Sequence, residues 1–470
     1  PQYFLMLILF IVLYFTITMA IGFYAHKRIT GGRDFMNAGR NLHPIINSFA
    51  LFALWFGSET LFGASSEFAE NGLQGIIEDP LGGVLCLLLV GFFYARKMYR
   101  LNALTLGDLF QLNYGQKIEI LASVLMVLSF LGYIAAQLLA LGLILQLLTS
   151  WSLLLCMSIS LIIVLVYTSS GGMLAVSLTD FFQSLMIILG LIFIALFMTR
   201  LTPGFQSVWE AVPASHWTFF PEKNSISWFN WTASWMALGL GSIVSQDVFQ
   251  RVNAARNENA AVGSTLAGAL LYALFSLLPI YIVLTLKWTH SGAEGDLQMT
   301  LPRFVLSDMP VYLQILFFGS VISAILSTCS GAILAPASLL AENIIKPLWA
   351  KNISDKGLLV LTQFSTIVMG ILSLWVASGS EKIFDLVGTS SAFGVVSIFI
   401  PYTAALFFNA RNKTAALLSM MAGSVVWAWC FFIAPTEIDA SIYGLAASLT
   451  GWLAGIYFWK NQGSEGKLAN

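Results

Sequence analysis

The chain has 470 residues, of which 58% are hydrophobic and only 10% charged, with a formal net charge of −1. A soluble domain carries about 25% charged residues, so a mean hydropathy of +0.83 excludes a soluble globule of this length and places the chain in a lipid bilayer. The near-zero net charge gives no broad basic face, which excludes a nucleic-acid partner.

A hydrocarbon core of ~30 Å needs about 20 apolar residues per helix. In chain order such runs fall at 3–25, 43–70, 75–97, 117–148, 151–168, 173–200, 229–250, 258–287, 309–345, 356–378, 383–408, 413–433 and 438–460. This predicts an all-α, polytopic membrane protein of about 13 transmembrane helices, with residues 1–470 forming one integral membrane domain. The first run has no basic stretch before it and is followed by Lys27 and Arg28, so it reads as an anchor rather than a signal peptide. The longest loops, 201–228 and 288–308, are expected on the outer face, the first as a lid or short helices rich in Pro and Trp. The polar tail after Lys460 is expected to be disordered. With the N-terminus outside, seventeen of the 22 Lys and Arg fall on inner loops, Arg251 among them, and five on outer ones. That bias sets the N-terminus outside and the C-terminus in the cytoplasm. Cys86, Cys156, Cys329 and Cys430 all lie inside apolar runs and read as buried thiols.

Charge inside a span costs about 2.5–3.5 kcal/mol on insertion scales, so polar residues there are functional candidates. Segment 43–70 carries Glu59 beside Gly57, Ser58 and Gly63. Segment 173–200 carries Asp180 and Gln183. Segment 229–250 carries Gly239, Gly241, Ser242, Gln246 and Asp247. Segment 309–345 carries Ser323, Ser327, Thr328 and Ser330. Glycines at matching places in two halves of a transporter point to interrupted helices around a midplane site; they serve equally for close helix packing. Ala324, Ser327 and Thr328 share one helix face. Together with carbonyls freed by an interrupted helix they would make an oxygen-only cage for a hard cation, or their hydroxyls bond back to their own helix.

Several separated runs carry a resemblance. They are Gly31-Gly32-Arg33-Asp34, Thr105-Leu106-Gly107-Asp108, the stretch from Tyr167 through Gly171-Gly172 to Thr179-Asp180 and Gln183, and Gln250-Arg251. In order and topology they resemble the sodium/solute symporter family, which includes sodium-coupled galactose, proline, sialic acid and choline carriers. The resemblance covers roughly residues 5–460. It implies a leucine-transporter-like core of two inverted five-helix repeats at 43–200 and 229–408, with 3–25 as an extra N-terminal helix and 413–460 as two C-terminal helices. It implies a Na+ site made by the carbonyls of Ala53, Phe56 and Ala324 and the hydroxyls of Ser327 and Thr328. A second sodium site in some members would fall on Asp180, Ser327 and Ser330, with Gly331 standing where one such member has serine. Solute-lining positions would be Trp55, Glu59, Thr60, Tyr133, Gln137, Ser242, Ser245 and Gln246. Leu238, Gly241 and Ser242 replace polar and aromatic residues of the sugar carriers. Trp55 and the Gln246–Phe249–Gln250–Arg251 pattern match the choline branch, whose two further tryptophans appear here as Ser245 and Tyr133. Glu59 and Asp247 would balance a cationic or zwitterionic amine, or Glu59 is a structural acid, since a sugar carrier also has one there.

The expected activity is therefore sodium-coupled symport: import by alternating access of a small polar solute, with an amine-bearing one such as an amino acid or a choline-like compound as the expected class. The partners are the solute, sodium and the lipid bilayer, and the expected site is the plasma membrane, as in a bacterial inner membrane. The alternative is a symporter-like sensor that signals through a separate partner. His26, His43, His216 and His290 are scattered, and no nucleophile or metal-ligand spacing supports an enzyme.

Overall fold

The computed structural model describes residues 2–200, 202, 204–289, 297–380 and 382–468. Each apolar segment is helical, because in lipid every backbone N–H and C=O must be satisfied within its own segment. The helices in chain order are α1 (Gln2–His26), α2 (Pro44–Trp55), α3 (Glu59–Gln74), α4 (Ile77–Arg100), α5 (Leu106–Tyr114), α6 (Gln116–Thr149), α7 (Leu153–Ser169) and α8 (Gly171–Arg200). Then come α9 (Ser225–Gly241), α10 (Gln246–Ala254), α11 (Glu258–Lys287), α12 (Val311–Trp349), α13 (Asp355–Ser378), α14 (Ile383–Ser397), α15 (Phe399–Phe408), α16 (Lys413–Ile433) and α17 (Ala440–Leu468). Among the described residues seven helices are long and apolar enough to cross a membrane, or nine if each of two bent pairs makes one crossing. Length and composition thus support fewer crossings than the thirteen segments read from the sequence.

Three breaks shape the bundle. α2 and α3 meet at a 55° bend and α14 and α15 at 52°. α9 passes through a 3-10 turn, Ser242–Val244, and an extended Ser245 before α10 begins. The turn between α7 and α8 has no loop. Gly172 makes it with φ +50°, and a Cβ there would lie 2.4 Å from the Phe35 carbonyl oxygen, so both the conformation and the space require glycine.

α12 is the central rod. Its residues from Phe317 to Leu339 are buried without interruption, and it packs along α8, α6, α13 and α2. That placement carries the hydroxyl run 323–330 into the middle of the protein rather than to lipid.

Some expectations change. Arg251 is not a loop residue: its side chain is fully buried in α10, which leaves sixteen basic residues, not seventeen, on the inner count. The tail is not irregular, since α17 continues to Leu468. Cys86, Cys156 and Cys329 are buried thiols as expected, but Cys430 is only half-buried. The loop 201–228 does form short helices, Phe205–Ala211 and Ala214–Trp217, with Trp209 and Trp217 stacked at 3.7 Å. In the loop 288–308 a helix runs Leu297–Asp308, while 290–296 lie outside the described residues, so nothing further is assigned to His290.

Candidate ion and solute site

The site is built on the interruption of α2 and α3. Phe56 leaves the helical region (φ −93°, ψ 66°), so the turn that would pair the Leu54 carbonyl with the Ser58 N–H is open. Both groups find partners on α6. Tyr133 Oη donates to the Leu54 carbonyl at 2.9 Å, and the Ser58 N–H donates to Gln137 Oε1 at 3.0 Å. Tyr133 and Gln137 are one helical turn apart, so one face of α6 splints the break. Gln137 Nε2 also donates to Glu59 Oε2 at 2.8 Å, fixing that carboxylate. The α3 side of the break is held by a second cluster: Thr60 Oγ1 lies 3.1 Å from the Trp55 carbonyl oxygen, 3.0 Å from Asp79 Oδ2 and 2.8 Å from Tyr272 Oη. Tyr272 also donates to Asp79 Oδ1.

α12 meets this break. Thr328 Oγ1 donates to the Ala53 carbonyl at 3.0 Å, which brings two of the five expected sodium ligands together. Phe56 lies at the break itself, and Ala324 sits one turn before Thr328. Ser327 points elsewhere and donates to Asp180 Oδ1 on α8. The donor set is all oxygen, of carbonyl and hydroxyl type, with no soft ligand, so the residues present fit a small hard cation.

Asp180 has two partners. Besides Ser327, its Oδ2 receives Arg251 Nη2 at 3.0 Å, and both side chains have no solvent exposure. Arg251 Nε donates to the Ala50 carbonyl at 3.0 Å, so one guanidinium joins α10, α8 and α2. Gly331 makes this possible: a Cβ there would sit 2.6 Å from Arg251 Nη2. Ser330 Oγ donates to the Ser327 carbonyl within its own helix at 2.9 Å. The three residues of the expected second sodium site are thus close, with the Asp180 carboxylate already facing a tethered cation.

Beside the break lies a cavity of about 50 Å³, room for a few waters. Of the expected solute positions, Trp55, Glu59, Tyr133, Ser242 and Ser245 line it; Thr60, Gln137 and Gln246 do not. Thr60 and Gln137 brace the lining as described. Gln246 turns away and accepts the Leu106 N–H at 2.7 Å, capping α5. Asp247 lines the cavity, with Oδ1 accepting from Ser245 Oγ and, at 2.7 Å, from the Val248 N–H. No Lys, Arg or His faces the cavity among the described residues, and the buried Trp55 Nε1 has no hydrogen-bond partner.

Sequence reasoning missed Asp79 and Tyr272, which hold Thr60, and Ser390 and Ser391, which line the cavity. Asp79 carries a signal, being a carboxylate inside the apolar segment 75–97.

The model of the "Sodium:solute symporter family" matches residues 35–423. The chain belongs to that family. A high-affinity choline transporter of Homo sapiens is 26% identical over 401 residues, covering 82% of this chain and 68% of that protein. A sodium/proline symporter of Staphylococcus saprophyticus is 26% identical and covers 95% and 90%. Among solved structures, a Na+-coupled sialic acid symporter in a substrate-bound outward-open state superposes with a TM-score of 0.80 at 18% identity, covering 96% of each chain. The fold is leucine-transporter-like. As a member of the family the chain is an integral membrane transporter, not an enzyme, and it couples sodium to the movement of a small solute.

Proposed function

We propose that the chain imports a small amine-bearing solute, a cation or zwitterion, together with one sodium ion. The observation that carries the solute class is the cavity wall: Glu59 and Asp247 face it, Trp55 and Tyr133 supply aromatic rings, and no basic side chain is there to balance them. An ammonium group gains from both carboxylates and from the ring faces. The unpartnered Trp55 indole N–H offers a donor to a hydroxyl or carboxylate on the same solute. Kinship with choline and proline carriers agrees with such a solute.

Sodium enters at the carbonyls of Ala53, Phe56 and Ala324 and the hydroxyls of Ser327 and Thr328. In this reading its arrival draws Ser327 off Asp180 and holds α12 against the open turn of α2. That ordered turn then presents Glu59 and Trp55 to the solute, which is the physical basis of coupling: each ligand binds better to the arrangement the other stabilises. The stoichiometry of one rests on Arg251. Its guanidinium supplies to Asp180 the charge that a second sodium at Asp180, Ser327 and Ser330 would bring, and Gly331 gives it room. The cycle is alternating access, with inverted repeats at 43–200 and 229–408, the N-terminus outside and the C-terminus in the cytoplasm. The membrane is the plasma membrane, as in a bacterial inner membrane.

The test is uptake into proteoliposomes of radiolabelled choline, betaine and proline under an inward sodium gradient. Electrogenic uptake of one of them that disappears in potassium supports the reading. Uptake restricted to sugars or dicarboxylates overturns the solute class.

A further inference from the structure

Asp79 of α4 is a buried carboxyl that lines neither the ion site nor the solute cavity. It is 1% exposed, and the two hydroxyls against it, Thr60 on α3 and Tyr272 on α11, are fully buried. Among the described residues no Lys, Arg or His forms an ion pair with it. The ionisable groups around it are Tyr272, Glu59 of α3, Glu78 beside it on α4 and Tyr133 of α6, none of them basic. A charged oxygen enclosed in this way needs donors, and here the donors can be counted.

Four oxygen–oxygen contacts join the cluster: Thr60 Oγ1 with the Trp55 carbonyl, with Asp79 Oδ2 and with Tyr272 Oη, and Tyr272 Oη with Asp79 Oδ1. Each hydroxyl brings one proton and the carbonyl brings none. If Asp79 is ionised, two protons serve four contacts, and lone pairs face each other in the other two. A proton on Asp79 Oδ2 changes the count. Asp79 then donates to Thr60, Thr60 is free to donate to the Trp55 carbonyl, and Tyr272 still donates to Asp79 Oδ1. Only the contact of Thr60 with Tyr272 is left unserved. The cluster bears on the solute cavity through Tyr272. Its ring centroid lies 6.2 Å from that of Trp55 and 6.2 Å from that of Phe56, the two residues at the break. Gly83 of α4 is the floor under two of these rings, since a Cβ there would stand 2.9 Å from Trp55 Cε3 and 2.9 Å from Tyr272 Cε1. Displacing Tyr272 therefore displaces Trp55, which lines the cavity.

We propose that Asp79 is a positioning residue that works as a neutral acid: its proton locks Thr60 onto the Trp55 carbonyl, and its other oxygen holds Tyr272 against the Trp55 ring, so that Trp55 is set for the solute. The effect on the solute rests on the reading of the cavity given above; the presence of the proton does not.

Infrared spectroscopy of the detergent-purified full chain at neutral pH tests the proton. The difference spectrum between the unsubstituted protein and Asp79→Asn is expected to show the carbonyl stretch of one protonated carboxyl group. Tyr272→Phe, which keeps the ring, is expected to shift that band in frequency, and it carries the test if Asp79→Asn does not elute as a single species. A difference spectrum that holds only carboxylate bands, or no shift in Tyr272→Phe, overturns the proposal. Uptake of choline, betaine or proline into proteoliposomes tests the positioning. Half-saturation is expected to rise about tenfold in Asp79→Ala and by less than about threefold in Asp79→Asn, whose amide donates to Thr60 in place of the proton. Raising the pH until the infrared band fades is expected to weaken half-saturation in the unsubstituted protein and to leave Asp79→Asn unchanged. Equal impairment of the two variants, or a pH response that Asp79→Asn shares, overturns the positioning role. Failure of the amine reading would appear differently, as no uptake of any of the three compounds with the infrared band still present.

Discussion

Thr328 and Ser327 differ in what they touch: Ser327 Oγ donates to the Asp180 carboxylate, Thr328 Oγ1 to a backbone carbonyl of the broken helix. Thr328 Oγ1 sits on the Ala53 carbonyl, so Thr328→Ala removes an ion ligand and a contact between α12 and the break. It is expected to raise the sodium concentration for half-maximal uptake by at least tenfold, about 1.4 kcal/mol, with expression unchanged. Sodium titration of uptake reads this directly. Glu59 faces the solute cavity instead. Glu59→Gln keeps the hydrogen bond from Gln137 and removes only the charge. Half-saturation by a cationic solute is expected to rise at least tenfold while sodium dependence keeps its midpoint. A matched loss of both would place Glu59 in the shared framework rather than in the solute contact. Arg251 and Asp180 form a fully buried ion pair. Arg251→Gln leaves an uncompensated carboxylate in the core, a loss on the order of 3–5 kcal/mol. The double variant Arg251→Gln with Asp180→Asn is expected to recover much of the Tm, because both charges are gone.

The broken helices are the elements that do the work, and their glycines are placed where backbones meet. A Cβ at Gly241 would lie 2.2 Å from the Ser391 carbonyl oxygen, at the seam between α9 and α14 that walls the solute cavity. Gly241→Ala must push these helices apart. Transport is expected to fall severalfold or more at saturating sodium, while the sodium-dependent rise in Tm persists, since the Thr328–Ala53 contact is made by α12 and α2 and by neither helix of that seam. Loss of both effects together would contradict this separation. The interruptions themselves were legible from sequence, because Gly57-Ser58 and Gly239-Gly241-Ser242 sit mid-span where apolar helix formers are expected. The helix positions were legible for the same reason: a bilayer leaves little choice between a 20-residue apolar run and a helix. What each polar side chain faces was less legible. Gln137, Thr60 and Gln246 are polar residues at the right depth, yet each faces a neighbouring backbone or carboxylate rather than the cavity. That choice depends on helix rotation and on partners far away in sequence, such as Leu106 for Gln246. Arg251 was misread for a similar reason, since its charge looked terminal until Asp180 supplied a partner from another helix.

At the scale of the whole molecule the question is whether one sodium suffices. One charge entering across 100 mV contributes about 2.3 kcal/mol, and a tenfold sodium gradient adds about 1.4 kcal/mol. The total of ~3.7 kcal/mol supports roughly 500-fold accumulation of a neutral or zwitterionic solute. A cationic solute gains about 2.3 kcal/mol more from its own charge. A second sodium would square the sodium-driven ratio, so a reversal-potential measurement in proteoliposomes is expected to give a sodium-to-solute ratio of one, and a ratio of two would contradict the role given to Arg251.

The central claim is that a small amine and sodium bind this protein interdependently. The most direct measurement is a thermal-shift screen of the purified chain against amines, amino acids, carboxylates and sugars, each in sodium and in potassium, since a ligand of the folded state raises apparent stability. The expected result is a rise in Tm with an amine-bearing compound that appears in sodium, vanishes in potassium and is lost in Thr328→Ala. A rise of equal size in potassium, or one produced only by sugars or dicarboxylates, would contradict the account.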